Sequence, residues 1–329
     1  MPALPNSKTA RLGAFALCAA LFLCAECRAE RLHLLIPGGA GGGWDSTARG
    51  IGEALSRSGL IDSVSYENLS GGSGSRAISH LIETADRQHN TLMISSAPII
   101  LGSLRGLFPQ GFRQLEPVAA IIADYGAFVV RDDSPHRDWP SLARAFAAEP
   151  RAVKFAGGSA RGSMDHLVAA LALKMSGQNP DELRYIPYDS GGQAMVGLLS
   201  RETQVLSTGL SEAVFLAEQG EVRILAMTAP SPLAEFAGLP TLIESGVEAS
   251  FVNWRGFFAA PGFPAGNKAF YLAQLERMYA TEPWQAIRAA RGWTDFFIPA
   301  DDFQRFLDEQ EALLDQLLLE LGLKAAGPR

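Results

Sequence analysis

Past residue 27 the sequence contains no cysteine; its three cysteines, Cys18, Cys24 and Cys27, all lie close to the N-terminus. Disulfides and thiolate chemistry are therefore excluded from the rest of the chain. The five histidines, His33, His80, His89, His136 and His166, have neither HExxH nor paired-His spacing, so the pattern for a metal site is lacking. A Gly-x-Ser-x-Gly elbow is missing too. The nearest runs are Gly71–Ser75 and Gly157–Arg161, and neither has the serine in its place. No Gly-Lys-Ser or Gly-Lys-Thr occurs, which removes the phosphate loop of nucleotide hydrolases. With 28 basic against 35 acidic residues and no basic stripe, the chain also lacks the positive face that nucleic acid requires.

The N-terminal apolar stretch Leu12–Ala25 is 14 residues long, short of the ~20 that span a bilayer as a helix. Lys8 and Arg11 precede it, and Cys27 and Ala29 follow as small residues. A positive start, an apolar centre and a small-residue exit form a secretory signal peptide, residues 1–29, cleaved after Ala29. Removing it takes away Lys8, Arg11, Arg28 and Glu26. The remainder holds 25 basic and 34 acidic side chains, a net charge of -9. The expected mature protein is exported, acidic and free of cysteine.

Along the remainder, short apolar runs alternate with helical periods. Leu32–Ile36 ends at Pro37 and a glycine run, after which Ala48, Ile51, Ala54 and Leu55 fall on one helix face. Further strands are expected at 91–95, 153–156, 186–188, 205–208 and 224–227. Strand, polar turn and helix in repetition predict an α/β fold with mostly parallel sheets. Two long apolar runs, Val118–Val130 and Phe251–Pro264, are suited to carry the chain to a second domain and back. The expected division is residues 30–130 with 252–329 in one domain and 131–251 in the other. Phe303–Leu323 reads as an acidic amphipathic packing helix. Trp254 and Arg255, on the return strand, read equally well as interdomain packing.

Glycine-rich turns that open helices are the chemistry-bearing feature. The first, Pro37–Asp45, brings Gly39, Ala40, Gly41, Gly42, Gly43, Trp44 and Asp45 together. The second, Gly157–His166, contains Gly158, Ser159, Gly162, Ser163 and Asp165. Glycines let backbone N–H groups approach a ligand closely, and a helix N-terminus adds unpaired donors and partial positive charge. One such turn in each domain can hold a carboxylate or phosphate across a cleft, which a chain of negative net charge must achieve by local attraction. Trp44 reads as a wall of that cleft. Asp45 and Asp165 are placed to cap their helices or to accept a ligand hydroxyl. A third turn, Gly72–Ala77, fits G-x-G-x-x-A, but a lone match is better read as a tight turn with close helix packing.

With these motifs in view, the chain resembles the extracytoplasmic solute receptors of tripartite tricarboxylate transporters, the tricarboxylate-binding branch of the Bug receptor family. The likeness runs from Leu32 onward. Its carriers include PGGAGGGWDSTAR (37–49), YENLSGGSG (66–74), AGGSARGSMDHL (156–167), YDSGGQAMVGLL (188–199), STGLSE (207–212) and NWRGFFAAPG (253–262). It implies a two-domain periplasmic binding-protein fold of type II-like form, closing on a carboxylate in the cleft between domains. The loops matching 39–45 and 157–163 then hold a carboxyl group, with Ser73, Ser95, Ser96, Ala97, Tyr188, Asp189 and Thr208 bordering the cleft. No catalytic residue, metal or cofactor is implied. The implied location is the periplasm. The implied partners are a small carboxylate, citrate foremost, and the large and small membrane subunits of the transporter; the receptor itself is expected to be a monomer that binds no nucleic acid. The sequence departs from the family pattern at Ser70, where proline is usual, at Asn90, and at Arg201-Glu202 in place of a glycine pair. Two other classes fit the residues alone. One is an exported hydrolase of small carboxylate esters that depends on Ser163; the other is a ligand-sensing subunit of a membrane kinase.

Overall fold

The computed structural model describes residues 30–324, so the signal-peptide segment lies outside the described residues. Ten strands appear in chain order: β1 (Arg31–Ile36), β2 (Ser63–Asn68), β3 (Thr91–Ser96), β4 (Glu116–Arg131) and β5 (Lys154–Gly157). They continue with β6 (Arg184–Pro187), β7 (Val205–Gly209), β8 (Val222–Met227), β9 (Val252–Ala259) and β10 (Thr294–Pro299). Between β1 and β2 runs the helix Gly43–Arg57, and its face Ala48, Ile51, Ala54 and Leu55 is at most 1% exposed, as the 3.6-residue spacing requires. It stops at Ser58, followed by Gly59 in the left-handed conformation at φ +63°.

The strands form one continuous path, β2-β1-β3-β9-β4-β7-β5-β6, with β8 and β10 each added to β4. The expectation of mostly parallel pairing needs correction. β1–β2, β1–β3, β5–β6 and β5–β7 are parallel, whereas every pairing made by β4 or β9 is antiparallel. The two long apolar strands run against the βαβ units they join, and that mixes the sheet. β4 pairs with β9 and β10 up to Tyr125, then with β7 and β8 from Gly126 onward. A single strand thus serves both halves of the molecule.

The helix Ala300–Glu320 lies against β4 and buries Phe303, Leu307, Leu314 and Leu318 completely. Phe303 meets Trp254 edge-on at 5.5 Å and Phe258 at 5.4 Å. Burying each such side chain is worth ~1.5–3 kcal/mol, so this helix fastens the C-terminal segment to the sheet centre. β1, β5 and β6 all end in polar glycine-containing turns that lead into helices at Gly43, Met164 and Gly191. Ligand sites form outside the carboxyl ends of parallel strands in such sheets, and here the three turns open on one space.

Candidate functional site

A cleft of about 420 Å³ lies between these turns. The first turn contributes Gly38, Gly39, Gly42, Gly43 and Trp44 to its wall. Trp44 turns its indole edge to the end of the neighbouring strand β3, donating from Nε1 to Ser96 Oγ at 3.0 Å. Gly41 adopts φ +79°, a conformation that favours glycine, and its N–H donates back to Asp45 Oδ2 at 3.0 Å. Asp45 does not cap the helix: the N-cap is Gly42, and Asp45 sits buried in the first turn. There it accepts also from Arg49 Nε at 2.9 Å and Asn68 Nδ2 at 3.0 Å, tying the loop to β2. Asp45, Ala40 and Gly41 therefore shape the wall from outside it.

The second turn brings Gly158, Ser159, Ser163 and Asp165 to the cleft. Its N-cap is Ser163, not Asp165. Ser159 organises the loop: its Oγ accepts from Asp165 N at 3.2 Å, and its carbonyl accepts from Tyr185 Oη at 2.7 Å. Gly158 must be glycine, since a Cβ there would fall 2.1 Å from the backbone nitrogen of Gly191. Gly162 stands back from the wall, with φ +76°, and donates from N to His166 Nδ1 at 2.8 Å. Ser73, Ser96, Tyr188 and Asp189 also line the cleft. Ser73 is a non-glycine residue held at φ 56° among Gly71, Gly72 and Gly74. Ser95, Ala97 and Thr208 are buried behind the lining; Thr208 donates from its hydroxyl to Glu212.

Sequence reasoning missed six polar residues that reach the same space: Ser70, Arg161, Ser190, Glu212, Asn253 and Arg255. Arg255 on β9 is 3% exposed and pairs at 2.8 Å with Asp124 of β4, which is fully buried. Its Nη1 donates to the Gly43 carbonyl at 2.8 Å and to Thr47 Oγ1. Asp124 accepts in addition from Tyr125 N and Ser211 Oγ, so the ion pair is fully hydrogen-bonded. Glycine at 43 is explained by this group, because a Cβ would lie 2.4 Å from Arg255 Nη2. Arg161 differs: it pairs with no carboxylate among the described residues and donates to the Tyr185 carbonyl at 3.0 Å. The available signal was an Asn and an Arg flanking a Trp within an apolar strand, 253–255, since such polar groups are buried only where a partner waits.

Burial pushes the Asp165 carboxyl up to about 7, and the neighbouring Glu212 charge adds to the shift. Glu212 is raised by burial as well, against the Thr208 hydrogen bond and Arg255 that lower it. Burial brings His166 down to about 4, with Arg161 and Arg105 reinforcing the effect. With its Nδ1 engaged by Gly162, His166 is not disposed as a base for Ser163. Among the described residues no group of three or more His, Cys, Asp or Glu side chains is disposed to hold a metal ion.

Two α/β halves sharing long crossing strands, with a glycine-walled polar cleft at their junction, define a two-domain solute-binding protein. Solved structures agree on that fold. The periplasmic binding protein BugD superposes with a TM-score of 0.80 at 20% identity, over 89% of this chain and 98% of that one. MatC from Rhodopseudomonas palustris, solved with bound malate, gives 0.78 at 18% identity over 88% and 99%. The R. palustris protein Rpa4515, solved with adipate, gives 0.81 at 24% over 90% and 99%. A comparison with curated protein sequences finds no match. The profile of the tripartite tricarboxylate transporter family receptor matches residues 49–322, and the chain belongs to that family. Its members are binding receptors rather than enzymes, which sets aside the ester hydrolase.

Proposed function

We propose that the protein is a periplasmic receptor that captures a di- or tricarboxylate, citrate foremost, and delivers it to the large and small membrane subunits of a tripartite transporter. The observation that carries this reading is the convergence of two glycine turns on one cleft, beside Arg161, which pairs with no carboxylate among the described residues. Backbone N–H groups of 40–43 and 158–163 serve as donors to ligand carboxylates, with Trp44 shaping the pocket. The cleft volume of about 420 Å³ lies in the ~300–1,000 Å³ range of small-molecule sites. Malate and adipate in the structures of MatC and Rpa4515 are both dicarboxylates, which supports the ligand class.

Residues 131–251 move as one body against 30–130 with 252–329, and a ligand touching both favours the closed arrangement. The change of partners along β4 at Tyr125–Gly126 supports a hinge there. Export through the signal peptide and action as a monomer complete the proposal. Among the described residues, no helix is long and apolar enough to cross a membrane.

Gly42→Asp tests the first turn. The position has φ -83°, and its nearest neighbours to an added Cβ are 3.4 and 3.5 Å away, so a side chain is sterically tolerable. The added negative charge is expected to weaken citrate binding by at least ~10-fold, read by calorimetric titration. Unchanged affinity would remove the first turn as the anion site.

A further inference from the structure

Acceptors crowd one part of the cleft. Glu212 projects from the first turn of the helix Leu210–Glu218 into the gap between two glycines of different turns. Its Oε1 lies 3.0 Å from where a Cβ of Gly43 would stand, and its Oε2 2.2 Å from that of Gly191. Both turns must be bare at these points for the carboxylate to occupy the cleft. Its own bonds come from the Thr208 hydroxyl and the Gly209 backbone, and it forms no salt bridge among the described residues. Arg255, the nearest cation acting on it, is already engaged by Asp124, Gly43 and Thr47. Asp165 stands close enough for the two charges to oppose each other.

Two independent orphans adjoin this pair. Asn253 Oδ1 and Ser163 Oγ are buried, each on a side chain 3% exposed, and neither has a hydrogen-bond partner. Both residues line the cleft. A buried carbonyl oxygen without a donor is costly, and in a ligand site it marks where the ligand supplies the hydrogen. Asn253 Oδ1 therefore awaits a donor that the protein does not provide, and Glu212, bonded to Thr208 and Gly209, and Asp165, bonded to Ser159 and Gly158, keep further acceptor capacity in the same cleft.

We infer that Glu212, with Asn253 and Asp165 beside it, is the specificity element of the cleft, accepting a hydrogen from a hydroxyl or ammonium group on the ligand skeleton. The inference rests on the carboxylate-receptor reading above and narrows it. The ligand is then an acid carrying a donor group, a hydroxy or amino acid, rather than an unsubstituted di- or tricarboxylate. A site built to accept a hydrogen rejects the analogue that lacks it, because its buried acceptors stay unpaired.

The test is calorimetric titration of the wild-type protein and Glu212→Gln with matched pairs at one pH: malate and aspartate against succinate, and citrate against tricarballylate. The wild type is expected to favour at least one donor-bearing member by ~10-fold or more, the scale of a hydrogen bond to a charged group. Preference for malate and citrate identifies a hydroxyl; preference for aspartate alone identifies an ammonium. Glu212→Gln, which keeps the volume, is expected to bring the ratios to within about twofold. Thr208→Val, which removes the hydroxyl that orients Glu212, serves as the second variant and is expected to reduce the same ratios. Equal affinity for both members of every pair in the wild type overturns the inference and leaves the carboxylate receptor standing. Ratios retained in both variants also overturn it. Failure of every acid to bind refutes the receptor reading itself, and the inference with it.

Discussion

The ion pair Asp124–Arg255 allows a quantitative prediction about what holds the cleft floor together. Arg255→Met leaves the Asp124 carboxylate fully buried with only the Tyr125 amide and the Ser211 hydroxyl as partners. An uncompensated buried charge of this kind costs ~3–5 kcal/mol. At ~2–4 °C per kcal/mol for a body of 150–250 residues, the melting temperature should fall by on the order of 10 °C. Asp124→Leu strands the guanidinium in the same way, although Gly43 and Thr47 still accept from it, so its cost sits lower in that range. The double variant Arg255→Met/Asp124→Leu removes both charges, and replacing a buried pair by apolar groups is often close to neutral. Its loss should be well under half the sum of the two single losses. Urea denaturation of the four proteins measures the cycle. Single losses under ~1 kcal/mol, or a double loss equal to their sum, would refute the claim that the two charges depend on each other.

Three further predictions concern the same cleft. Gly43→Ala would place a Cβ 2.4 Å from an Arg255 nitrogen that Asp124 holds at 2.8 Å, so it should cost ~1–3 kcal/mol by overpacking, whereas Gly42→Ala meets only ordinary contacts and should cost under ~0.5 kcal/mol; parallel melts compare them. Asp165 is raised from 3.8 to about 7, so the native state holds its proton more tightly than the unfolded chain, and this group's contribution to stability falls as pH rises through that window. His166, lowered from 6.5 to about 4, acts oppositely and removes stability as pH falls through its window. Asp165→Asn should therefore lose stability more steeply than wild type on acidification from about pH 6.5, and His166→Gln less steeply, in urea denaturation at a series of pH values. Parallel profiles for the two variants would contradict both assignments. Asp165, raised to about 7 by burial and by the Glu212 charge, loses its own charge at the cleft as pH falls through that value, so affinity for malate should rise as pH falls through about 7, read by calorimetric titration.

Much of the fold was legible because its strands end in strong punctuation. β1 stops at Pro37 and glycines, β5 at Gly157-Gly158, and the helix faces that follow repeat at 3.6 residues. β2 and β10 escaped. β2 is an edge strand that pairs only with β1 and keeps its residues half-buried or exposed, so Ser63–Asn68 carries little apolar signal. β10 pairs antiparallel with β4 across a register shift, with its aromatic residues half-buried. The antiparallel direction of β4 and β9 was equally hidden, since a fully buried strand reads as a continuous apolar run whichever way it points.

The candidate site divides in the same manner. The glycine turns announce themselves as contiguous motifs, and twelve of the nineteen residues expected at the cleft line it. The polar floor does not. Glu212, Asn253 and Arg255 come from a helix turn and a strand far apart in sequence, and only the sheet brings them to Gly43. The capping alternative for Asp45 and Asp165 fails because Gly42 caps the first helix three residues before Asp45 and Ser163 the second two residues before Asp165. Spacing along the chain locates a helix start to within a residue or two, while the hydrogen bond that closes it depends on loop shape.

The most direct test of the receptor claim is calorimetric titration of the mature protein, refolded to remove any carried ligand, against citrate, malate, adipate and a set of amino and aromatic acids, with EDTA as the control for metal removal by citrate. Saturable one-to-one binding of a di- or tricarboxylate, weakened at least ~10-fold by Gly42→Asp, is the predicted result. Silence across every di- and tricarboxylate, with another solute class bound in their place, would contradict it.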